Sequence, residues 1–415
     1  MLLKESRCKG DSVLAYLLGV VLFAVGIAAT IALHELGHLS VARWSGMRVR
    51  RYFVGFGPTL WSTQKGTTEY GVKAVPFGGF CEIAGMTALD EVTPEEAPFA
   101  MRNKPAWKRI AVLLGGIAMN VLVGLTIIFG VAVTSGIPNP YADMTPIAGE
   151  TVCVADRNAV GESEPCSGPG PAGAAGVKAG DRIVAVDGNK LEAFVQLRDY
   201  VIDKPGQTVT LDVLRDGTLT TIAVPVAKVT AYAADGTPTT LGAIGIVGGA
   251  IPDAIKVFSP AEAVGATFKY SGDLLEGTVK GLVQLPAKIP GVALSIFGAE
   301  REVDSPMSVV GASRVGGEFV ERSLWSMFWL MLASLNFFLA LFNLIPLPPF
   351  DGGHVAVVVY EKIRDAVRRL RGLPPAGPAD YTRLMPITYA IAAALLTVGV
   401  LFVVADVVNP VRLFG

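Results

Sequence analysis

From Ser12 to Leu33 no residue carries a charge, and the run closes on His34-Glu35-Leu36-Gly37-His38. In lipid every backbone polar group must be paired within its own segment, so an apolar stretch of this length folds as a membrane-crossing helix. Ionisable side chains at that depth are expensive and mark function. On a helix, His34 and His38 fall one turn apart on one face, where both imidazoles reach a single Zn²⁺. Glu35 stands beside them, placed to act as a general base on water. Two of the three histidines in the chain belong to this pentad.

The whole composition agrees with a membrane chain. Charged residues make up 17% and hydrophobic residues 51%, against about a quarter charged in a soluble domain. The net charge of −1 offers nothing to a nucleic acid. Four spans are expected, at 12–34, 109–135, 324–346 and 385–408. Lys4, Arg7 and Lys9 precede the first, as in a signal peptide, but the run exceeds a signal core and cleavage near its end would discard the metal motif. Basic residues assign the sides. Arg48, Arg50, Arg51, Arg102, Lys104, Lys108 and Arg109 mark 39–108 as cytoplasmic, and Lys362, Arg364, Arg368, Arg369 and Arg371 do the same for 355–384. Residues 136–323 and both termini are then extracytoplasmic, although the basic tail pulls the other way. The expected organisation is a tail and first span with the pentad (1–38), a cytoplasmic loop (39–108), a second span (109–135) and an outer region (136–323). A third span with an Asp-Gly motif (324–354), a second cytoplasmic loop (355–384) and a fourth span with the C-terminal tail (385–415) complete it.

Between the spans, Arg51 to Pro58 and Thr67 to Pro76 read as strands of a membrane-associated hairpin, broken by Gly78-Gly79. Tyr70, Val72 and Ala74 alternate along the second run and form a candidate edge for pairing with an extended substrate, with a plain surface loop as the alternative. Within roughly 146–230, the pattern from Gly176 through Gly180-Asp181 to Asp187-Gly188 resembles a PDZ domain, and Asp216-Gly217 is a strong hairpin turn. Such a domain either takes a peptide in its groove or acts as a steric module. Cys153 and Cys166 flank a Pro/Gly-rich insert and either pair or stay free; no Cys-x-x-Cys spacing offers thiolates to a metal. Amphipathic stretches at Ala261–Leu282 and Gly291–Phe297 are expected at the outer membrane surface. Chemistry alone gives Pro306 to Gly311 no role.

Catalytic zinc usually has three protein ligands and an open position. The third is Asp351 or His354, after the helix-breaking run Asn343-Leu344-Ile345-Pro346-Leu347-Pro348-Pro349-Phe350. Spans one and three run in the same direction. Counted from Ser12, His34 lies about 33 Å along a helix, and Asp351 lies at a similar distance from Leu324, so both reach the cytoplasmic side.

With these motifs in view, the chain resembles the site-2 proteases, and most closely their actinobacterial, mycobacterial-type members with a single PDZ domain. His34-Glu35-Leu36-Gly37-His38 carries the resemblance together with Asn343-x-x-Pro346-x-Pro348-x-Phe350-Asp351-Gly352, Gly55-Phe56-Gly57 and Pro76-Phe77-Gly78-Gly79-Phe80. Phe350 stands where the family usually has Leu. The resemblance implies a polytopic α-helical membrane protein of four spans with an extracytoplasmic PDZ domain, in the plasma membrane. It implies one Zn²⁺ on His34, His38 and Asp351, and Glu35 acting on water. Asn343 would hold the substrate backbone or the developing oxyanion, and Pro346 would shape the same strip. Mid-span Asn336 either faces the site or bonds a neighbouring helix. The implied reaction is peptide hydrolysis in or near the transmembrane segment of single-span proteins, such as anti-sigma factors or remnant signal peptides, after a first trimming cut. A membrane binding module with structural zinc leaves the Glu between the histidines unexplained. A metal transporter would need several ligand clusters, and this chain has one.

Overall fold

The computed structural model describes residues 2–415 except 88, 159–162, 233–236, 300, 303, 412, 414 and 415. It divides into two compact units: residues 1–135 with 258–415, and residues 136–257.

The first unit holds α1 (Leu2–Trp44), a hairpin of β1 (Val49–Lys65) and β2 (Thr68–Ile83), and α2 (Ala106–Thr134). After the second unit come α5 (Pro260–Ser295), α6 (Val309–Glu321), α7 (Trp325–Asn343), α8 (Asp351–Leu370) and α9 (Met385–Val408). Four described helices are long and apolar enough to cross a membrane: Val13–Trp44, Ala106–Thr134, Trp325–Asn343 and Met385–Val408. Three of these match the expected spans within a few residues. The first corrects its expectation. Its helix continues to Trp44, so the pentad sits within α1 rather than at its end.

Small residues let these helices close on one another, as packing inside a membrane requires. A Cβ on Gly19 would lie 2.7 Å from the Val320 Cβ, and one on Gly316 would meet the Phe23 ring at 2.7 Å, so α6 lies directly against α1. Phe23 meets Phe328 of α7 edge-on at 5.3 Å. The segment 306–311 acquires a role as a knot. Ser308 caps α6 by accepting from the Val310 and Gly311 N–H groups. The Asp406 carboxylate in α9 accepts from the Ser308 N–H and hydroxyl at 2.6 Å each, and pairs with Arg301 at 2.6 Å with both side chains almost wholly buried. The first expected amphipathic stretch and most of the second fall in one helix, α5, which continues through Pro286 and Pro290 and ends at Ser295.

The hairpin folds back on itself. Tyr52 to Val54 pair with Cys81 to Gly79 on one side and with Tyr70 to Val72 on the other, while Tyr70 to Val72 also pair with Thr63 to Trp61. The result is a curled sheet of four rungs in the order 79–83, 49–54, 69–72, 61–65. Gly55, Gly57 and Gly78, all at positive φ, lie where the register breaks, a backbone conformation that favours glycine.

In the second unit the first elements are β3 (Ile137–Pro138), β4 (Ala148–Thr151), α3 (Gly170–Ala174), β5 (Arg182–Val186), β6 (Asn189–Lys190) and α4 (Phe194–Ile202). They are followed by β7 (Thr208–Arg215), β8 (Thr218–Pro225), β9 (Ala227–Tyr232), β10 (Pro238–Ala243), β11 (Ile246–Gly248) and β12 (Ile255–Lys256). Strands in the order β6-β5-β7-β8 form its main sheet, over a core that includes Ile183, Val186, Leu197, Leu211, Val213 and Val224. The expected turn is present: Asp216 and Gly217 have φ of 50° and 78°, as a two-residue hairpin of this type demands. The unit extends beyond the expected 146–230, because β4 pairs with β11 and β3 with β12. Cys153 and Cys166, left open by the sequence, form a disulfide.

Candidate metal centre

His34 and His38 project from α1 toward α2, and the first residue of α8 brings Asp351 to them. The Asp351 Oδ2 lies 3.2 Å from His34 Nε2 and 3.3 Å from His38 Nε2, and the two Nε2 atoms are 3.2 Å apart. All three side chains are largely shielded from solvent. Among the described residues they are the one group of three or more His, Cys, Asp or Glu residues that could hold a metal. Tetrahedral ligands about 2.0–2.1 Å from zinc lie about 3.3 Å from one another, so the triangle has the size that zinc needs.

The hydrogen bonding points the same way. His38 Nδ1 lies 2.8 Å from the Val112 carbonyl, and as the donor there it leaves the Nε2 lone pair free, the usual way an outer partner orients a metal-binding imidazole. Asp351 Oδ2 is buried and has no hydrogen-bond donor among the described residues. Lone pairs converging on one another in a buried site repel, and a cation between them resolves the conflict.

Glycines make the triangle possible: the pair after Asp351 signals close approach in the sequence, whereas the parts played by Gly37 and Gly116 do not show there. A Cβ on Gly37 would collide with the Gly115 carbonyl, and one on Gly116 would come within 2.5 Å of His38 Nε2 and 2.7 Å of His34 Nε2. In α8, Cβ atoms on Gly352 and Gly353 would strike the Ile345 carbonyl oxygen and the Leu347 carbonyl carbon, each at 2.5 Å. The 344–350 linker therefore lies directly on the start of the helix that carries Asp351. Farther along α8, Glu361 Oε2 accepts from Arg109 Nη1 at 2.6 Å, with both side chains buried. Glu361 Oε1 accepts from the Ala379 N–H at 2.7 Å. This pair fixes α8 against α2.

Glu35 lies beside the triangle, under the sheet. A Cβ on Gly79 would be 3.2 Å from its Cγ, the Cys81 backbone N–H faces its carboxylate, and the Tyr52 hydroxyl donates to the Ala32 carbonyl at 2.7 Å. Burial, then the charge of Glu35, pushes the Tyr52 phenol up to about 12. The rung beside Glu35 is thus Gly79 to Ile83, and no described strand pairs with its outer edge. This corrects the edge expected at Tyr70 and Val72. Tyr70 and Val72 have strand partners on both sides, and Tyr70 packs against Tyr52 and Arg43. Val72 and Ala74 are exposed.

Asn343 is the half-buried last residue of α7, and Pro346 is exposed in the linker. His354 stands outside the triangle, its ring stacked on Tyr381 with centroids 5.9 Å apart. Asn336 bonds a neighbouring helix: its Nδ2 donates to Thr30 Oγ1 at 3.1 Å, while its buried Oδ1 has no partner among the described residues. Asn120, one turn after Gly116 in α2, is fully buried, and neither amide atom has a partner among the described residues; nothing in the sequence singled it out.

Comparison with known proteins agrees with this chemistry. The family model of peptidase family M50 matches residues 22–372. The zinc metalloprotease Rip1 of Mycolicibacterium smegmatis is 48% identical over 404 residues, covering 96% of this chain and 99% of that protein. Rip1 of Mycobacterium tuberculosis H37Rv is 45% identical over 405 residues, with the same two coverages. A putative zinc metalloprotease of Nostoc is 29% identical over 357 residues, 83% of this chain and 86% of its own. The solved PDZ domain of an SdrC-like protein from Listeria monocytogenes aligns with 24% of this chain and 87% of its own at 24% identity, but the TM-score of 0.16 fixes no fold. A donor triangle sized for zinc, carried partly on a membrane helix and within a match spanning 22–372, leaves one reading: the chain belongs to peptidase family M50, the site-2 proteases, and is a zinc metalloprotease.

Proposed function

We propose that this protease cuts single-span membrane proteins within or near their transmembrane segment, after another protease has trimmed them, as in the release of an anti-sigma factor or the removal of a remnant signal peptide. The observation that carries this reading is the position of the pentad inside α1, which puts hydrolytic chemistry where the substrate is itself a helix in lipid. His34, His38 and Asp351 hold the metal, and bound Zn²⁺ supplies Lewis acidity to the reaction. Glu35 takes the proton of the attacking water and returns it to the leaving amine. Asn343 and Pro346 flank the substrate strip at the end of α7. Asn120, with its amide free to donate, is a second candidate for the developing oxyanion.

A helical substrate hides its carbonyls in its own hydrogen bonds and must unwind to be cut. The released groups need partners, and the open edge of Gly79 to Ile83 offers them by strand addition. Tyr70, Val72 and Ala74 then back that rung rather than form it. Loop charge supports a site near the cytoplasmic face, with residues 136–257 outside as a PDZ domain that excludes untrimmed substrates or takes a peptide in its groove. Exposed Trp44 and Trp107, paired at 6.5 Å between the end of α1 and the start of α2, suit a membrane–water interface at that level. Replacing Glu35 by Gln is expected to abolish cleavage of a single-span reporter, a loss of roughly 10²-fold or more, with bound zinc unchanged. Retained turnover in that variant would refute the assignment.

A further inference from the structure

Helix α8 does two jobs on two faces. Its first residue is Asp351, and its C-terminal half holds an apolar stripe that none of the described residues covers: Tyr360 is 57% exposed, Ile363 61%, Val367 40% and Leu370 88%. At 3.6 residues per turn these four and exposed Val359 fall within an arc of about 100°. Lys362 and Arg369 border one side of the arc, and Arg371 and Arg364 the other. The acidic residues point away from it: Glu361 is buried against Arg109, and Asp365 accepts from the Ala376 N–H at 3.2 Å. Among the described residues the side chains of Lys362, Arg369 and Arg371 make no hydrogen bond or ion pair; Arg369 and Arg371 bond only through their backbone. The helix is tethered between two spans, since α7 ends at Asn343 and α9 begins at Met385.

We propose that α8 lies in the membrane surface on this side of the protein, with Tyr360, Ile363, Val367 and Leu370 in the headgroup–acyl boundary and Lys362, Arg369 and Arg371 bound to the phosphates of anionic lipids. The chemistry is that of an interfacial helix: an apolar face for insertion, and basic flanks whose stems run along it and whose heads meet negative headgroups. Charge chooses the occupant. A plain hydrophobic partner would leave those cations unmatched, and a zwitterionic surface would attract them weakly. The helix that presents Asp351 to the two histidines is then the one that senses lipid charge.

The test uses the full chain with Cys8 and Cys81 replaced by Ser and a nitroxide at position 363, 367 or, as an aqueous control in the exposed following loop, 375. The protein is reconstituted into phosphatidylcholine vesicles with or without phosphatidylglycerol. The ratio of collisions with oxygen to collisions with an aqueous nickel chelate should be several-fold higher at 363 and 367 than at 375, and should rise further with phosphatidylglycerol. The triple variant Lys362→Gln, Arg369→Gln, Arg371→Gln should lose that further rise. Labels at 363 and 367 as wet as at 375 overturn the proposal. So does shielding that grows with protein-to-lipid ratio, which would mean a second copy of the chain, and so does shielding indifferent to phosphatidylglycerol.

Discussion

At the scale of single residues, the centre depends as much on missing side chains as on present ones. Gly116 lies so close to both imidazoles that even a methyl group would displace them. Gly116→Ala is expected to lower zinc affinity at least about tenfold, comparable to losing an outer-sphere partner, while the helical circular dichroism stays unchanged. Zinc affinity by competition with a chelator checks this, and an Ala variant that binds zinc as tightly as the parent would show that the rings have room to move. The two histidine ligands were legible in the sequence, because few side chains bind zinc and their spacing on a helix is fixed, whereas residue chemistry alone left Asp351 and His354 both open as the third. The glycines of α2 were not legible. In an apolar span Gly115 and Gly116 read as helix filler, and their meaning comes from α1, some eighty residues away. Asn120 stayed hidden for the same reason, since a lone polar residue in a span gives no sign of which face it occupies.

At the scale of elements, two placements govern the site. One is α8, held by the buried Arg109–Glu361 pair. Removing one partner of a buried pair leaves an unmatched charge and costs about 3–5 kcal/mol, whereas replacing both with apolar residues is often neutral. Glu361→Gln should therefore loosen α8 and weaken zinc binding through Asp351, and the double variant Arg109→Met, Glu361→Leu should recover most of the loss. A double-mutant cycle on zinc affinity reads this directly; equal losses in the single and double variants would mean that the pair does not position Asp351. The other placement is the sheet. Strand propensity announced a hairpin, but the fold-back that exchanges its inner and outer rungs depends on bulges at Gly55, Gly57 and Gly78. A one-step shift of register changes which residues form an edge, so the alternation at Tyr70, Val72 and Ala74 could reveal a strand but not its neighbours. The loop after the sheet is bound by charge: Arg50 reaches Glu96 at 2.7 Å and Asp90 at 2.8 Å. The Arg50 hydrogen bonds lower the Glu96 carboxyl to about 2 from an ordinary 4.5. Because its folded pKa is depressed, this stabilisation is fully present above about pH 4.5 and fades as pH falls toward 2.

At the scale of the whole molecule, the chain leaves and re-enters the membrane unit at one place. Ile137–Pro138 pair with Ile255–Lys256, so residues 136–257 form an insertion whose two ends meet, the arrangement that tolerates excision. Spans and insertion were both legible, because lipid imposes length and apolarity on one and turn chemistry punctuates the other. The joining strands, two residues each, were too short to register. If the insertion works as a size filter, its removal should separate binding of metal from choice of substrate. We expect a variant with residues 137–256 replaced by a short Gly-Ser linker to retain zinc and to cut a trimmed single-span reporter as the parent does. The same reporter carrying a folded outer domain, which the parent is expected to reject, should become a substrate, so that the ratio of the two kcat/KM values moves toward one. A variant that still rejects the bulky reporter would place discrimination in the membrane unit itself, leaving the insertion some other ligand to hold.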